Sequence, residues 1–325
     1  MALLESLTRR EGLVSSKSDR IYQYLTRRPT FAHSKTKMSI LKIPPAVLVA
    51  LASSAVPIFG QWPSYPTPGP RTTAGGIDFA ALPPRLANGK PDFSGLWEPA
   101  HTKADKNGGA LTGTTPLPFA IPSSPDDPPV AQFFNIGAGF KDGLLPFTAW
   151  GAQVRAQRKG NNNKDNPDAL CLPLGLTQLH MHPQPRKIVQ TSREIVILYE
   201  ANGNVRQILT DGRPLPNNDP TSWWYGYSVG HWDGDTLVVE TTGFRDDVWL
   251  DVEGSPLTSS GKMTERWRRV KYGLMQIDIT IEDPKAYTKP FTVRVNHQLM
   301  PDTELMEFVC EERDATHYIG KDAKK

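Results

Sequence analysis

The chain has 325 residues, 38% of them hydrophobic and 22% charged, enough apolar material for one large domain or two small ones and too much for a wholly disordered chain. A formal charge of +3 is close to neutral for this size, and no basic run is interleaved with aromatics, which argues against a nucleic-acid partner. Thirty prolines and 26 glycines suit short strands joined by turns and loops, and point toward an all-β fold.

Residues 1–37 are basic and polar, and precede the segment MSILKIPPAVLVALASSAVPIFGQ that begins at Met38. That segment has a lysine near its start, an apolar run and small residues ahead of Gln61, the pattern of a secretory signal peptide. Residues 38–61 are therefore expected to be an export signal, with translation starting at Met38 and residues 1–37 a start-site artefact or disordered. A membrane anchor is the alternative reading, but the run is shorter than the roughly 20 residues a spanning helix needs. Residues 62–80 read as a Pro/Gly/Thr-rich linker that should pack poorly, and 81–325 as a single β-rich domain, periplasmic or secreted, with no membrane span once the signal is removed. Its oligomeric state stays open. Cys171 and Cys310 are the only cysteines, and in an oxidising compartment they either pair or remain two buried thiols.

Within 81–325, a Gly-x-Trp at Gly95 and Trp97 is similar to the first strand of lipocalin-type barrels. The stretch LLPFTAWGAQVRAQRKG predicts one helix, with Pro146 near its first turn and Phe147, Trp150 and Val154 on one face. From Pro185 onward, β-branched and aromatic runs alternate with turn signals. RKIVQT, EIVILYE, VRQILT, YSVGHW, DTLVVETT, MTERWRRV, LMQIDITIE, FTVRVNHQLM and ELMEFVCEE predict nine strands, with hairpin turns at Asn202-Gly203, Asp233-Gly234 and Tyr272-Gly273. The expected fold is mainly β, an antiparallel meander closing into a barrel or a two-sheet sandwich after one short helix.

PDFSGLW, CLPLG, VRQILTDGRP, YSVGHWDGDTLVVETTGF, TERWRRV and TIEDPKAYTKPFTV resemble the shared blocks of a family of exported soil-bacterial proteins. The resemblance covers most of the chain after the linker. It implies a common fold and assigns no activity. The sequence departs from that pattern at LHMHPQP, so any role for those histidines would be particular to this chain.

Strand alternation gives the candidate site residues. Folding about Asp233-Gly234 pairs Trp232 with Asp235, His231 with Thr236, Val229 with Val238 and Tyr227 with Glu240. His231, Tyr227 and Glu240 then share a face, where a histidine beside a carboxylate would form an acid/base pair; a hydrogen-bonded structural histidine and a solvated glutamate is the alternative. Folding about Asn202-Gly203 pairs Tyr199 with Arg206. The strand before Tyr272-Gly273 places Arg266 and Arg268 on the face of Met275, Ile277, Ile279 and Ile281, where Arg266 would need a carboxylate or an anionic ligand, or its stem would lie over apolar surface with the head in water. Glu265, on the opposite face, reads as a solvated partner of Arg269 or Lys271. TDGRP sets Asp211 and Arg213 at a strand end, and LPNNDPTSWWYGY brings Trp223, Trp224, Tyr225 and Tyr227 together, suited to stacking on a flat or sugar-like ligand or to closing a barrel end. His180 and His182, if extended, project to one side, and with a third ligand such as His231 or Glu240 would hold zinc or a similar divalent metal. Nucleophile-elbow, Walker, dinucleotide and zincin motifs are absent from the sequence.

The leading expectation is an exported barrel that binds a small aromatic or sugar-like ligand in its lumen or at one end. Its site would hold Arg206, Arg213, Trp224, Tyr227, Arg266, His231 and Asp211. A secreted hydrolase or lyase using His231, Glu240 and Asp211, with metal at His180 and His182, is the second reading, and an envelope scaffold the third.

Overall fold

Residues 66–102, 116–216 and 222–310 are described by a computed structural model, and all of them fall in one compact unit, Pro63–Lys325. The expected export signal and the residues ahead of it lie outside this range. Eleven strands are present among the described residues: β1 (Gly95–Pro99), β2 (Arg186–Gln190), β3 (Glu194–Tyr199), β4 (Val205–Leu209), β5 (Tyr227–Asp233), β6 (Thr236–Thr242), β7 (Val248–Trp249), β8 (Pro256–Leu257), β9 (Lys262–Lys271), β10 (Leu274–Glu282) and β11 (Phe291–Leu299). Nine close into a barrel in the order β1-β11-β10-β9-β6-β5-β4-β3-β2, and β7 with β8 forms a separate ribbon. Closure leaves no open sheet edge. Every neighbouring pair is antiparallel except β4 and β5.

The fold is thus mainly β, as expected, but its ninth strand is β1. The 304–309 segment, read as a strand, is irregular and leaves Met306 and Val309 exposed. It is tied to the domain by the Cys171–Cys310 disulfide, which joins residues 139 apart. Residues 66–80, read as a loose linker, also pack. Ile77 is buried, and the Tyr272 hydroxyl donates to the Pro68 carbonyl at 2.5 Å.

Helix α1 (Ala149–Gly160) matches the predicted helix, shortened at its start. Thr148 caps it, accepting from the Gly151 amide at 3.1 Å, so Phe147 lies ahead of the first turn and packs on Tyr287 instead. Helix α2 (Leu176–Met181) was not expected, and every one of its residues is buried. Gly175 permits this placement, because a Cβ there would come within 1.9 Å of the Trp249 carbonyl oxygen.

Alternation along the strands sorts the side chains. Ile195, Ile197, Ile208, Leu237, Val239, Trp267, Ile277, Ile279, Val293 and Val295 meet in the barrel core. The β5–β6 hairpin pairs Asp233 with Thr236 and Val229 with Glu240, and β3–β4 pairs Ile197 with Arg206. Both registers differ from the expected ones by two residues, which leaves each side chain on its predicted face. In β9–β10 the register shifts between Leu274 and Met275, where Lys271 pairs with Leu274 but Arg269 with Met275. Val270 is the extra residue. That slip of one exchanges the faces: Glu265 and Trp267 turn into the barrel, while Arg266 and Arg268 turn out beside Asp278.

Candidate functional site

The barrel interior holds a charged cluster that apolar patterning does not announce. Glu265 on β9 is fully buried and meets Arg206 on β4 through both carboxylate oxygens, with Nη1 donating to Oε1 at 3.1 Å. Arg206 also donates from Nε and Nη2 to Ser228 Oγ, at 3.3 and 3.1 Å, and from Nη2 to Thr241 Oγ1 at 3.2 Å. These bonds cross two intervening strands on the concave side, which identifies the face of Ser228 and Thr241 as the lumen face. Burial alone would raise the Glu265 carboxyl, but the Arg206 charge and the His180 hydrogen bond outweigh it and hold it at about 2.

His180, near the end of α2, places Nε2 2.8 Å from Glu265 Oε1. An ionised carboxylate only accepts, so Nε2 carries the proton and donates, leaving Nδ1 as a lone pair. Burial lowers the His180 pKa against the pull of Glu265, so the ring is neutral, and Nδ1 has no partner among the described residues. Arg186 Nη1 donates to the His180 carbonyl at 2.6 Å, and Nη2 to the His182 and Gln184 carbonyls at 2.7 and 3.2 Å, which satisfies the orphan carbonyls at the C-terminus of α2. His297 Nε2 lies 2.7 Å from both Arg186 Nη1 and the His180 carbonyl. It accepts from the first or donates to the second, and burial keeps it neutral with a pKa well below the usual imidazole value. The cluster ties α2 to β2, β4, β9 and β11. With His180 1% exposed, it is sealed from solvent.

A second constellation forms where the barrel wall is thinnest. β4 and β5 run parallel and share only two residue pairs, Ile208 with Ser228 and Leu209 with Val229. A parallel pair needs a long crossover rather than a tight turn, and here the connection is 210–226. Its returning arm lies against the end of β6, with the Trp223 amide donating to the Gly243 carbonyl at 2.9 Å and the Arg245 amide to the Trp223 carbonyl at 3.1 Å. Gly226 allows that close approach: its φ is +63°, and a Cβ would meet the Thr242 carbonyl oxygen at 2.6 Å. The result is a cavity of about 420 Å³ walled by Val205, Leu209, Trp223, Trp224, Tyr225 and Tyr227, with the lumen-facing Arg206 and Ser228 on its barrel side. Trp224 also borders a cavity of about 670 Å³ beside α1, and its ring lies 4.4 Å from the Arg245 guanidinium. Arg213 stands over Tyr227, its Nη1 3.4 Å from the hydroxyl, and is held by Asp211 at 2.6 Å. Hydrogen bonding from Arg213 keeps the Asp211 carboxyl at about 2.

The structure therefore brings Arg206, Trp224 and Tyr227 to one cavity and sets Arg213 and Asp211 near it. His231 and Glu240 lie on the outer face of the hairpin. His231 is exposed there, and Glu240 accepts from Lys262 at 2.6 Å. Arg266, also outside, is paired with Asp233 at 2.8 Å rather than with an anionic ligand. His180 and His182 do not project together, because α2 turns the first into the barrel and leaves the second at the helix end, its ring against Phe133. Among the described residues no group of three or more His, Cys, Asp or Glu is arranged to hold a metal ion. The burial of Glu265 and the tie formed by His180 escaped the sequence reading; the Glu265–Trp267–Arg269 alternation would have revealed the first had the bulge been allowed for. Comparison with protein-family models, with curated proteins and with solved structures finds no match to this chain, so the site rests on its own geometry.

Proposed function

We propose that this domain binds a small ring-bearing ligand, aromatic or sugar-like, in the cavity at the β4–β5 seam. The observation that carries the reading is the convergence of Trp223, Trp224, Tyr225 and Tyr227 on one cavity of about 420 Å³ beside the least-paired seam of the barrel. Concave sites with aromatic walls and a few polar groups are the usual form of small-molecule pockets, and indole faces stack on sugars and flat rings. An acid/base site at His231 and Glu240 lacks this support, since both residues stand on the convex wall, one of them ion-paired. Titration of the protein with aryl glycosides, simple phenols and free monosaccharides, followed by tryptophan fluorescence, tests the proposal. A saturable change with at least one class is expected. Flat responses across all three would overturn it.

We also propose an exported setting, periplasmic or secreted. The Cys171–Cys310 bond supports it, because such bonds persist in oxidising compartments, and among the described residues no helix is long and apolar enough to cross a membrane. Alkylating the protein as isolated from its native host should label neither cysteine before reduction. Labelling of both would contradict an oxidising location.

A further inference from the structure

The wall of the seam cavity carries one buried phenol hydroxyl that no described residue satisfies. Tyr225 lines the cavity, and its hydroxyl is buried without a hydrogen-bond partner among the described residues. Tyr199, 3% exposed, is not part of that wall and interacts with Arg206 in the lumen. A buried hydroxyl left without a partner costs free energy, so one in the wall of a cavity marks a place where something else completes the bonding. Burial raises the Tyr225 phenol and holds it protonated, so it has a proton to donate.

The charges around the cavity define what that phenol donates to. All three guanidinium nitrogens of Arg206 are engaged with Glu265, Ser228 or Thr241. Arg213 is matched by Asp211. Each arginine thus has its own carboxylate, and neither is left to receive a carboxylate or phosphate from a ligand. An anion entering here would lose its hydration without gaining a counter-charge.

Resting on the reading of the cavity as a ligand site, we propose that its ligand is uncharged and presents a carbonyl, hydroxyl or ether oxygen that accepts a hydrogen bond from Tyr225 while its ring lies against Trp224. Three probes of one shape separate the possibilities: naphthalene, 2-acetonaphthone and 2-naphthoate, titrated into the full chain and into Y225F and W224A. The acetonaphthone should bind roughly fivefold more tightly than naphthalene, the scale of one neutral hydrogen bond, and more tightly than the naphthoate. The Y225F variant should lose that advantage and keep its affinity for naphthalene. Because only an unsatisfied oxygen is removed from the ring, Y225F should melt at or above the native temperature.

Tightest binding of the naphthoate, or an acetonaphthone advantage that survives in Y225F, would overturn the proposed ligand chemistry while leaving the cavity as the site. Binding of all three probes unchanged in W224A, or of none of them by the native chain, would instead remove the cavity reading, and this inference with it.

Discussion

Two neighbouring residues of β9 each make an ion pair, and the pairs could hardly differ more in setting. Glu265 points into the barrel and meets Arg206 with no solvent on either group; Arg266 points out and meets Asp233, with both side chains about half exposed or more, at 46% and 64%. The chemistry is the same and the surroundings decide its weight. The outer pair trades water for a screened contact and is worth little. The inner pair has no water to fall back on, so removing either partner strands a buried charge.

The largest expected effect follows from breaking the inner pair. Glu265→Ala leaves the Arg206 guanidinium and the His180 Nε2–H without their acceptor, and should cost about 3–5 kcal/mol, a fall in melting temperature on the order of 10 °C. Asp233→Ala should leave the melting temperature within error. Equal losses from the two would remove the distinction drawn here. A covalent tie supplies the next scale: Cys171→Ser with Cys310→Ser opens a closure of 139 residues, and should cost about 2–4 kcal/mol in urea unfolding, below a chain-entropy ceiling near 5.

Acid separates the pairs more finely. The Glu265 carboxyl sits at about 2 in the folded protein against an ordinary 4.5, so its contribution is complete above pH 4.5 and is lost as pH falls toward 2. His180 and His297 have folded pKa values depressed below 6.5. The unfolded chain therefore takes up protons first, and stability should begin to decline as pH falls below about 6.5. Thermal melts from pH 8 to 3 should show both declines, and 1 M salt should leave them largely intact because the groups are buried. A profile flat from pH 8 to 5 would contradict neutral buried histidines. The smallest effects belong to the outer hairpin, where His231→Ala and Glu240→Ala should leave the melting curve unchanged.

The same strands show what the sequence could convey. Eight of nine predicted strands exist, and the faces of β4, β5 and β6 are read correctly although both hairpin registers are off by two. An even slip preserves a period of two. A single bulged residue, Val270, does not, and it sent Glu265 to solvent and Arg266 to the core in the sequence reading when the reverse holds. Helix α2 was invisible for another reason. It has six residues between Gly175 and Pro183, too few for a helical period, and burial on all sides removes the polar face that would mark it. The aromatic cluster at 223–227 was legible because composition alone signals it. The cavity was not, since it depends on β4 and β5 running parallel and on a crossover whose path no local pattern encodes.

That the protein's working surface is the β4–β5 seam, rather than the sealed lumen or the outer hairpin, is tested most directly by one titration. A ligand that changes tryptophan fluorescence in the native chain is measured calorimetrically against W224A and against the H231A/E240A double variant. Binding roughly tenfold or more weaker in W224A, with native affinity in H231A/E240A, is the predicted result. Native affinity in W224A together with lost binding in H231A/E240A would contradict it.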